Sequence, residues 1–114
     1  MARLPRFRQI VDAIADDHWT YISLGGRETT SRVIVGRPRP WVGNADGGWI
    51  CPLVVTGWTP GGINVAGIGP VDALMNAMGL VKAFAEEIGR ISPLPLFPDT
   101  GSSEASAVKR RRRK

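Results

Sequence analysis

The sequence predicts an α+β protein with a four-stranded antiparallel meander sheet, one long C-terminal helix packed on one face of the sheet, and a short N-terminal helix. Three observations lead to this prediction. One segment has helical apolar periodicity, and four segments before it have strand composition and are separated by turn sequences. Hydrophobic residues make up 43% of the 114 residues, as in ordinary globular proteins. A chain of this length has room for one modest core.

The long helix is predicted over Gly69 to Ile91, and the other elements are organised around it. Its apolar residues fall on one stripe at helical spacing, which is typical of a helix that covers a core. The stripe consists of Leu74, Met78, Val81, Ala85 and Ile88, and it is widened by Ala77, Phe84 and Ile91. Pro70 suits the first turn, Asp72 suits the positive end of the helix dipole, and Pro93 cannot continue the helix.

Four segments upstream of the helix are predicted to be strands. They are rich in β-branched, aromatic and other apolar residues, and glycine or proline turns separate them. The segments are His18 to Leu24, Thr29 to Val35, Trp49 to Gly57 and Ile63 to Ile68. Strands joined by short turns pair antiparallel, so the helix is expected to cover one face of a meander. Pro52 in the third segment predicts an edge position or a bulge.

The two ends of the chain flank a predicted domain of residues 17–92. Residues 1–16 are predicted to form a short helix from about Pro5 to Ala15, because apolar residues recur there at helical spacing. Three turns are marginal without packing, so an extended lead-in to the sheet is the alternative. Residues 93–114 are predicted to be a Pro-rich extended run, PLPLFP, followed by a disordered basic tail.

The net charge of +5 comes from the C-terminal tail. All of its last six residues are basic: Lys109, Arg110, Arg111, Arg112, Arg113 and Lys114. Removing these six from the 15 Lys and Arg leaves nine against 10 Asp and Glu, so the rest of the chain has a net charge of −1. Such a tail can bind phosphate backbones, act as a targeting signal, or have no selected role. A nucleic-acid-associated accessory protein is therefore the alternative function, and deletion of residues 109–114 would test it.

Residue types that support catalysis or metal binding are scarce. One cysteine and one histidine exclude an internal disulfide and a cysteine zinc cluster. Cys51 lacks a neighbouring cation in sequence, and His18 lacks the partners of a catalytic triad. The glycine runs lack the Lys-Ser/Thr ending of a phosphate-binding loop. The sequence therefore predicts a non-enzymatic protein without a cofactor. We also expect it to be cytoplasmic, because no apolar run of 18 residues and no signal-peptide pattern occurs.

Residues 36–48 form a long segment without periodicity inside the predicted domain, and such loops are often functional. Arginine and tryptophan dominate interface hot spots, and intervening prolines reduce the entropy lost on binding. The predicted partner-binding residues are Arg37, Arg39, Trp41, Asp46 and Trp49. In the alternative interpretation, the tryptophans cap the core and the arginines are solvated.

Four motifs, taken in order, resemble those of a small uncharacterised bacterial domain family. The motifs are GRPRP, WICP, a glycine turn and GPVDALMNAMGLV, and the resemblance covers roughly Ile14 to Ile91. The family has an arginine-proline strand end, an aromatic-x-Cys-Pro strand and a helix that opens with Gly and Asp-Ala-Leu. Small domains resembling it occur in bacterial toxin and antitoxin neighbourhoods. The resemblance therefore implies an immunity-type binding role. Together with the predicted core, the missing catalytic residues and the long loop, it leads to the hypothesis of a protein that binds a toxin or effector and occludes its active site. The contacts are expected from the 37–49 loop and the uncovered sheet face.

Overall fold

A computed structural model of the chain describes residues 10–92 and the backbone of residues 97–98. The described part is α+β, as predicted, with an antiparallel sheet and one helix. In chain order the elements are β1 (Ala13–Ile22), β2 (Glu28–Gly36), β3 (Arg39–Pro40), β4 (Trp49–Val55), β5 (Ile63–Gly67), α1 (Pro70–Ile91) and β6 (Phe97–Pro98).

The sheet has strands in five positions, in the order β5, β4, β2, β1 and β6, and every pair is antiparallel. Trp49 and Ile50 of β4 pair with β5 on one edge and with β3 on the other, so β3 continues the position of β2. The predicted number of four strands is too low. Both additional segments, β3 and β6, are two residues long and contain proline, so they have no strand periodicity that a sequence pattern could show.

The predicted N-terminal helix is not confirmed. Ala13 and Ala15 belong to β1, where they pair with Gly36 and Val35 of β2, and residues 1–9 lie outside the described part of the chain. A three-turn helix has little stability of its own, whereas a strand in this place forms ladder hydrogen bonds with β2. The alternative prediction, an extended lead-in to the sheet, therefore describes residues 13–15, which end this segment. Likewise, β6 lies in the predicted Pro-rich segment and pairs with β1.

Pro52 lies in the interior of the sheet and not at an edge. A local gap in the strand pairing explains why a proline is accommodated there. On one edge of β4, β3 pairs with residues 49 and 50 and β2 pairs with residues 53–55, so this ladder is interrupted beside Pro52. A residue without an N–H costs little where no ladder partner is present. Gly36 packs against the ring: a Cβ on Gly36 would lie 2.9 Å from Pro52 Cβ.

The helix lies across β4 and β5 and closes the core. Its fully or nearly fully buried residues are Ala73, Ala77, Val81 and Ile88. The sheet contributes alternate residues of three strands to the same cluster: Trp19, Tyr21, Val33, Val35, Cys51, Leu53 and Val55. Contact is closest where β5 ends, since a Cβ on Gly67 would lie only 2.3 Å from the backbone nitrogen of Ala73.

The buried face of α1 is rotated relative to the predicted stripe. Met78, which the prediction placed on the stripe, is 44% exposed, whereas Ala73, which it omitted, is fully buried. Leu74, Phe84 and Ala85 are only partly buried against the core. The reason is the close approach at Gly67, which leaves room only for small side chains, those of Ala73 and Ala77, between the first half of α1 and the sheet. As a result, several large apolar side chains in the first half of the helix remain exposed.

A chain of hydrogen bonds connects β1, β2 and the loop after β4, and a contact between two aromatic rings joins this loop to the helix. Ser31 Oγ donates to the Thr56 carbonyl at 2.7 Å, so the hydroxyl of Tyr21 must be the donor to Ser31 Oγ at 2.8 Å. Trp58 Nε1–H in turn donates to Tyr21 Oη at 2.9 Å. The Trp58 ring also packs against Phe84 of α1, with 5.6 Å between ring centroids. The Tyr21 hydroxyl is therefore the central member of this chain.

We expect Tyr21→Phe to lower the free energy of unfolding by about 1–3 kcal/mol, because it leaves the Trp58 N–H and the Ser31 hydroxyl without their partner. Urea denaturation measures this loss. Thr20→Val is the matched control, since it removes an exposed hydroxyl contact to Thr30 and should change stability by less than about 0.5 kcal/mol. Equal losses in the two variants would contradict the importance of the buried chain.

Candidate functional site

The loop between β3 and β4 is ordered by its own backbone hydrogen bonds. The Trp41 N–H donates to the Gly48 carbonyl at 3.0 Å, and the Gly47 N–H donates to the Asn44 carbonyl at 2.9 Å. The side chain of Asn44 adds a further bond, with Nδ2 donating to the Gly47 carbonyl. These bonds close a compact hairpin connection, so the loop holds its side chains in defined positions.

The start of α1 is fixed to the end of β5 by two polar side chains. Asp72 Oδ2 accepts the backbone N–H of Ile68 at 2.9 Å, and Asn76 Nδ2 donates to the Ala66 carbonyl at 2.9 Å. Asn76 Nδ2 also lies 3.5 Å from Asp72 Oδ2. An acidic residue in the first turn is stabilised by the helix dipole, which adds to the effect of its hydrogen bond.

The loop, the end of β5 and the first turns of α1 enclose a groove of about 460 Å³ that is open to solvent. Its polar and aromatic lining residues are Trp41, Asn44, Asp46, Asp72 and Asn76. This volume is within the range of ligand pockets, about 300–1,000 Å³. The groove is therefore the candidate functional site.

The described lining of the groove includes two carboxylates and no lysine or arginine. Residues 10–92 contain six Lys and Arg against eight Asp and Glu, a net charge of −2 at pH 7. Asn44 Oδ1 is buried and accepts no hydrogen bond from the described residues. The groove therefore offers hydrogen-bond acceptors and negative charge, and its described lining has no cation to pair with a phosphate group.

Two of the five residues predicted to bind a partner, Trp41 and Asp46, line the groove. Trp41 is half-buried and Asp46 is exposed. Trp49 instead packs against the hydrophobic core, as the alternative interpretation of the tryptophans predicts. The tail residues 109–114, predicted as an alternative nucleic-acid site, lie outside the described residues.

Neither predicted arginine is among the groove residues. Arg37 is exposed and forms an ion pair with Asp12, with 2.9 Å between Nε and Oδ2. Arg39 is exposed in β3, directly opposite Ile50 in the ladder, so it shares the sheet face of Ile50 on the side away from the helix. The alternation of strand side chains thus separates Arg39 from the aromatic groove.

Three polar residues of the groove were not predicted as site residues: Asn44, Asp72 and Asn76. Asp72 was predicted to suit the positive end of the helix dipole, and Asn44 and Asn76 were not considered as site residues. The NADG sequence at Asn44 is a turn signal, and only contact between that turn and the helix start gives it a role in a site. No local pattern specifies that contact.

The other residues weighed for chemistry have structural roles or are exposed. Cys51 is fully buried, and burial raises the pKa of its thiol, so the reactive thiolate is disfavoured. His18 is exposed on β1. Hydrogen bonds from Arg32 hold the pKa of Asp16 below its usual value, and this pair is on the exposed sheet surface. Within the described ranges, no group of three or more His, Cys, Asp or Glu residues is arranged to hold a metal ion.

The fold and the groove together define a small α+β protein whose helix start and β3–β4 loop form a surface suited to binding. The chain matches no protein-family model, no curated protein and no solved structure with which it was compared. The resemblance to an immunity-type bacterial domain therefore stays a prediction. The described helix is not long and apolar enough to cross a membrane.

Proposed function

We propose that this protein is a non-enzymatic protein-binding module whose partner docks on the groove and the apolar residues around it. In the specific form of the proposal, the partner is a bacterial toxin or effector and docking occludes its active site. The motif resemblance supports the toxin-neutralising role, and the surface described below supports binding.

The observation that carries the proposal is a set of large apolar side chains exposed in the segments that form the groove. Ile68 lines the groove and is 90% exposed, and Val42 follows Trp41 in the loop and is 88% exposed. Val71 and Met75 are 68% and 66% exposed at the start of α1. A cluster of exposed apolar residues with a polar rim is typical of protein interaction sites. Burying one such side chain contributes about 1.5–3 kcal/mol.

The rigidity of the surface also favours binding. The loop is closed by its own hydrogen bonds, and Asp72 and Asn76 tie the helix start to β5. A surface that is ordered before binding loses little conformational entropy when a partner docks. Trp49, which follows the loop at the start of β4, packs against the hydrophobic core.

We expect the double variant Ile68→Asp/Met75→Asp to bind the partner at least about 30-fold more weakly, because each carboxylate would have to be buried at an apolar contact. The partner is first captured from a lysate of the source organism by tagged full-length protein and identified by mass spectrometry. The purified partner is then titrated calorimetrically against the wild-type chain and the variant.

Leu24→Asp is the matched control, because Leu24 is 83% exposed in the β1–β2 turn at the opposite end of the sheet. It should bind the partner like the wild type, and thermal unfolding should show that both variants are folded. A partner that binds the double variant and the wild type equally well would refute this docking surface. For the toxin-neutralising form, co-expression with the partner should restore growth, and the double variant should fail to do so.

A further inference from the structure

We infer that the groove receives the guanidinium group of an arginine side chain from the protein partner. This inference rests on the proposed function and names the chemistry of the contact. It is argued from two amides in the lining, from two carboxylates that form no ion pair within the described residues, and from the position of one indole ring.

Two side-chain amides, those of Asn44 and Asn76, belong to the lining of the groove. Asn76 Nδ2 donates to the Ala66 carbonyl and to Asp72 Oδ2, and Asn44 Nδ2 donates to the Gly47 carbonyl. An amide has its donors and its acceptor at opposite ends, so these bonds fix which atom is the acceptor Oδ1. Asn44 Oδ1 is buried and meets no donor among the described residues, so its partial negative charge is uncompensated.

Neither carboxylate of the groove, Asp46 or Asp72, forms an ion pair in the described part of the chain. The ion pairs of the described part of the chain join Arg32 to Asp16, Arg37 to Asp12 and Arg90 to Glu87. Asp46 and Asp72 take part in none of these pairs. Several acceptors around one depression, without a cation among the described lining residues, give a site that is complementary to a cation with several N–H donors.

The indole ring of Trp41 favours arginine over lysine as the basic side chain that enters the groove. Its half-buried indole ring lines the groove together with the carboxylates. A guanidinium group is planar, stacks on an aromatic face and can donate two parallel hydrogen bonds to one carboxylate, whereas an ammonium group remains strongly hydrated. Because the groove is open, a side chain projecting from a docked protein surface fits it better than a small molecule, which would need more enclosure.

The test is an NMR titration of the ¹⁵N-labelled full chain with N-acetyl-arginine amide. The neutral near-isostere N-acetyl-citrulline amide and N-acetyl-lysine amide are titrated in parallel. We expect saturable shifts of the Trp41 indole N–H and of the Asn44 and Asn76 side-chain amides with the arginine probe. The citrulline probe should bind at least about tenfold more weakly, because it lacks the charge-assisted hydrogen bonds, and the lysine probe should be intermediate.

Asp46→Asn is the informative variant, because Asp46 is exposed and makes no described hydrogen bond that its loss would break. It should weaken arginine binding about tenfold. Glu28→Gln removes an exposed carboxylate at the far end of β2 and should leave binding unchanged. Equal affinity for the arginine and citrulline probes, equal affinity for the arginine and lysine probes, or shifts confined to other residues would overturn the inference.

The two proposals can fail separately. If Ile68→Asp/Met75→Asp abolishes capture of the partner while Asp46→Asn binds the partner and the arginine probe like the wild type, the docking surface stands and the arginine inference fails. If the arginine probe binds as expected but the double variant retains the partner, the docking surface fails and the cation site stands alone.

Discussion

Replacing Gly67 with alanine is expected to destabilise the protein by at least about 2 kcal/mol, in the upper part of the range for overpacked core positions. The added Cβ would lie 2.3 Å from the backbone nitrogen of Ala73, 2.6 Å from its Cα and 2.8 Å from the carbonyl carbon of Asp72. All three are backbone atoms of α1. No side-chain rotation can relieve the contact, so the helix has to move away from β5. Urea denaturation would measure the loss.

Gly79→Ala is the matched control for this prediction. Gly79 lies in the middle of α1, and a Cβ there would meet nothing within 4 Å. Because alanine stabilises an exposed helix interior relative to glycine, we expect this variant to gain about 0.5–1 kcal/mol. The same substitution should thus have opposite signs at two positions twelve residues apart. A Gly67→Ala variant as stable as the wild type would show that the helix start does not approach β5 this closely.

The Gly67 contact also matters for the groove. Asp72 and Asn76 are bound to the end of β5 only while the helix start stays against the sheet. A displaced helix start would change their positions relative to Trp41 and Asp46. We therefore expect Gly67→Ala to reduce binding of the partner in addition to reducing stability.

Leu53→Ala is expected to lower the free energy of unfolding by about 2–5 kcal/mol, the range for a large aliphatic side chain removed from a core. Leu53 is fully buried in β4 and lies between Val35 of β2 and Ile63 of β5. Strands on both sides and the helix above restrict the collapse of the cavity. Since small domains are stable by only about 5–15 kcal/mol, this loss is a large fraction of the total.

Two comparisons make the Leu53 prediction specific. Leu53→Met keeps most of the volume and should cost less than about 1.5 kcal/mol. Leu24→Ala changes a side chain that is 83% exposed and should alter stability by less than about 0.5 kcal/mol. A loss for Leu53→Ala no larger than that for Leu24→Ala, measured by urea denaturation, would contradict the position of Leu53 in the core.

Local signals predicted the elements that depend on short-range order. The helix was predicted over residues 69–91 and is observed at Pro70–Ile91, because proline and glycine boundaries and the apolar period lie within the segment itself. In β2, the alternation of Val33 and Val35 with exposed residues likewise identified a half-buried strand. Met78 was placed on the wrong side because helical periodicity gives an approximate direction, and contact with Gly67 decides the final rotation.

The candidate site was predicted in part. Trp41 and Asp46 were chosen because they belong to a long loop rich in interface residue types, and both line the groove. Arg39 was chosen for the same reason, but strand alternation places it on the other sheet face. Asn76 lines the groove because the fold places the helix start beside the loop, and the sequence of neither segment predicts this contact.

By itself, the sequence determined the α+β class, the extent of the helix and the composition of the β3–β4 loop, because periodicity, turn residues and residue type act over a few positions. The tertiary structure alone decided that Pro52 lies at a gap in the ladder, that Ala73 and Ala77 face the sheet in place of Met78, and that Trp41, Asp72 and Asn76 share one groove. These features depend on contacts between segments that are distant in the chain, and their free energies are set by packing and pairing that no single segment encodes.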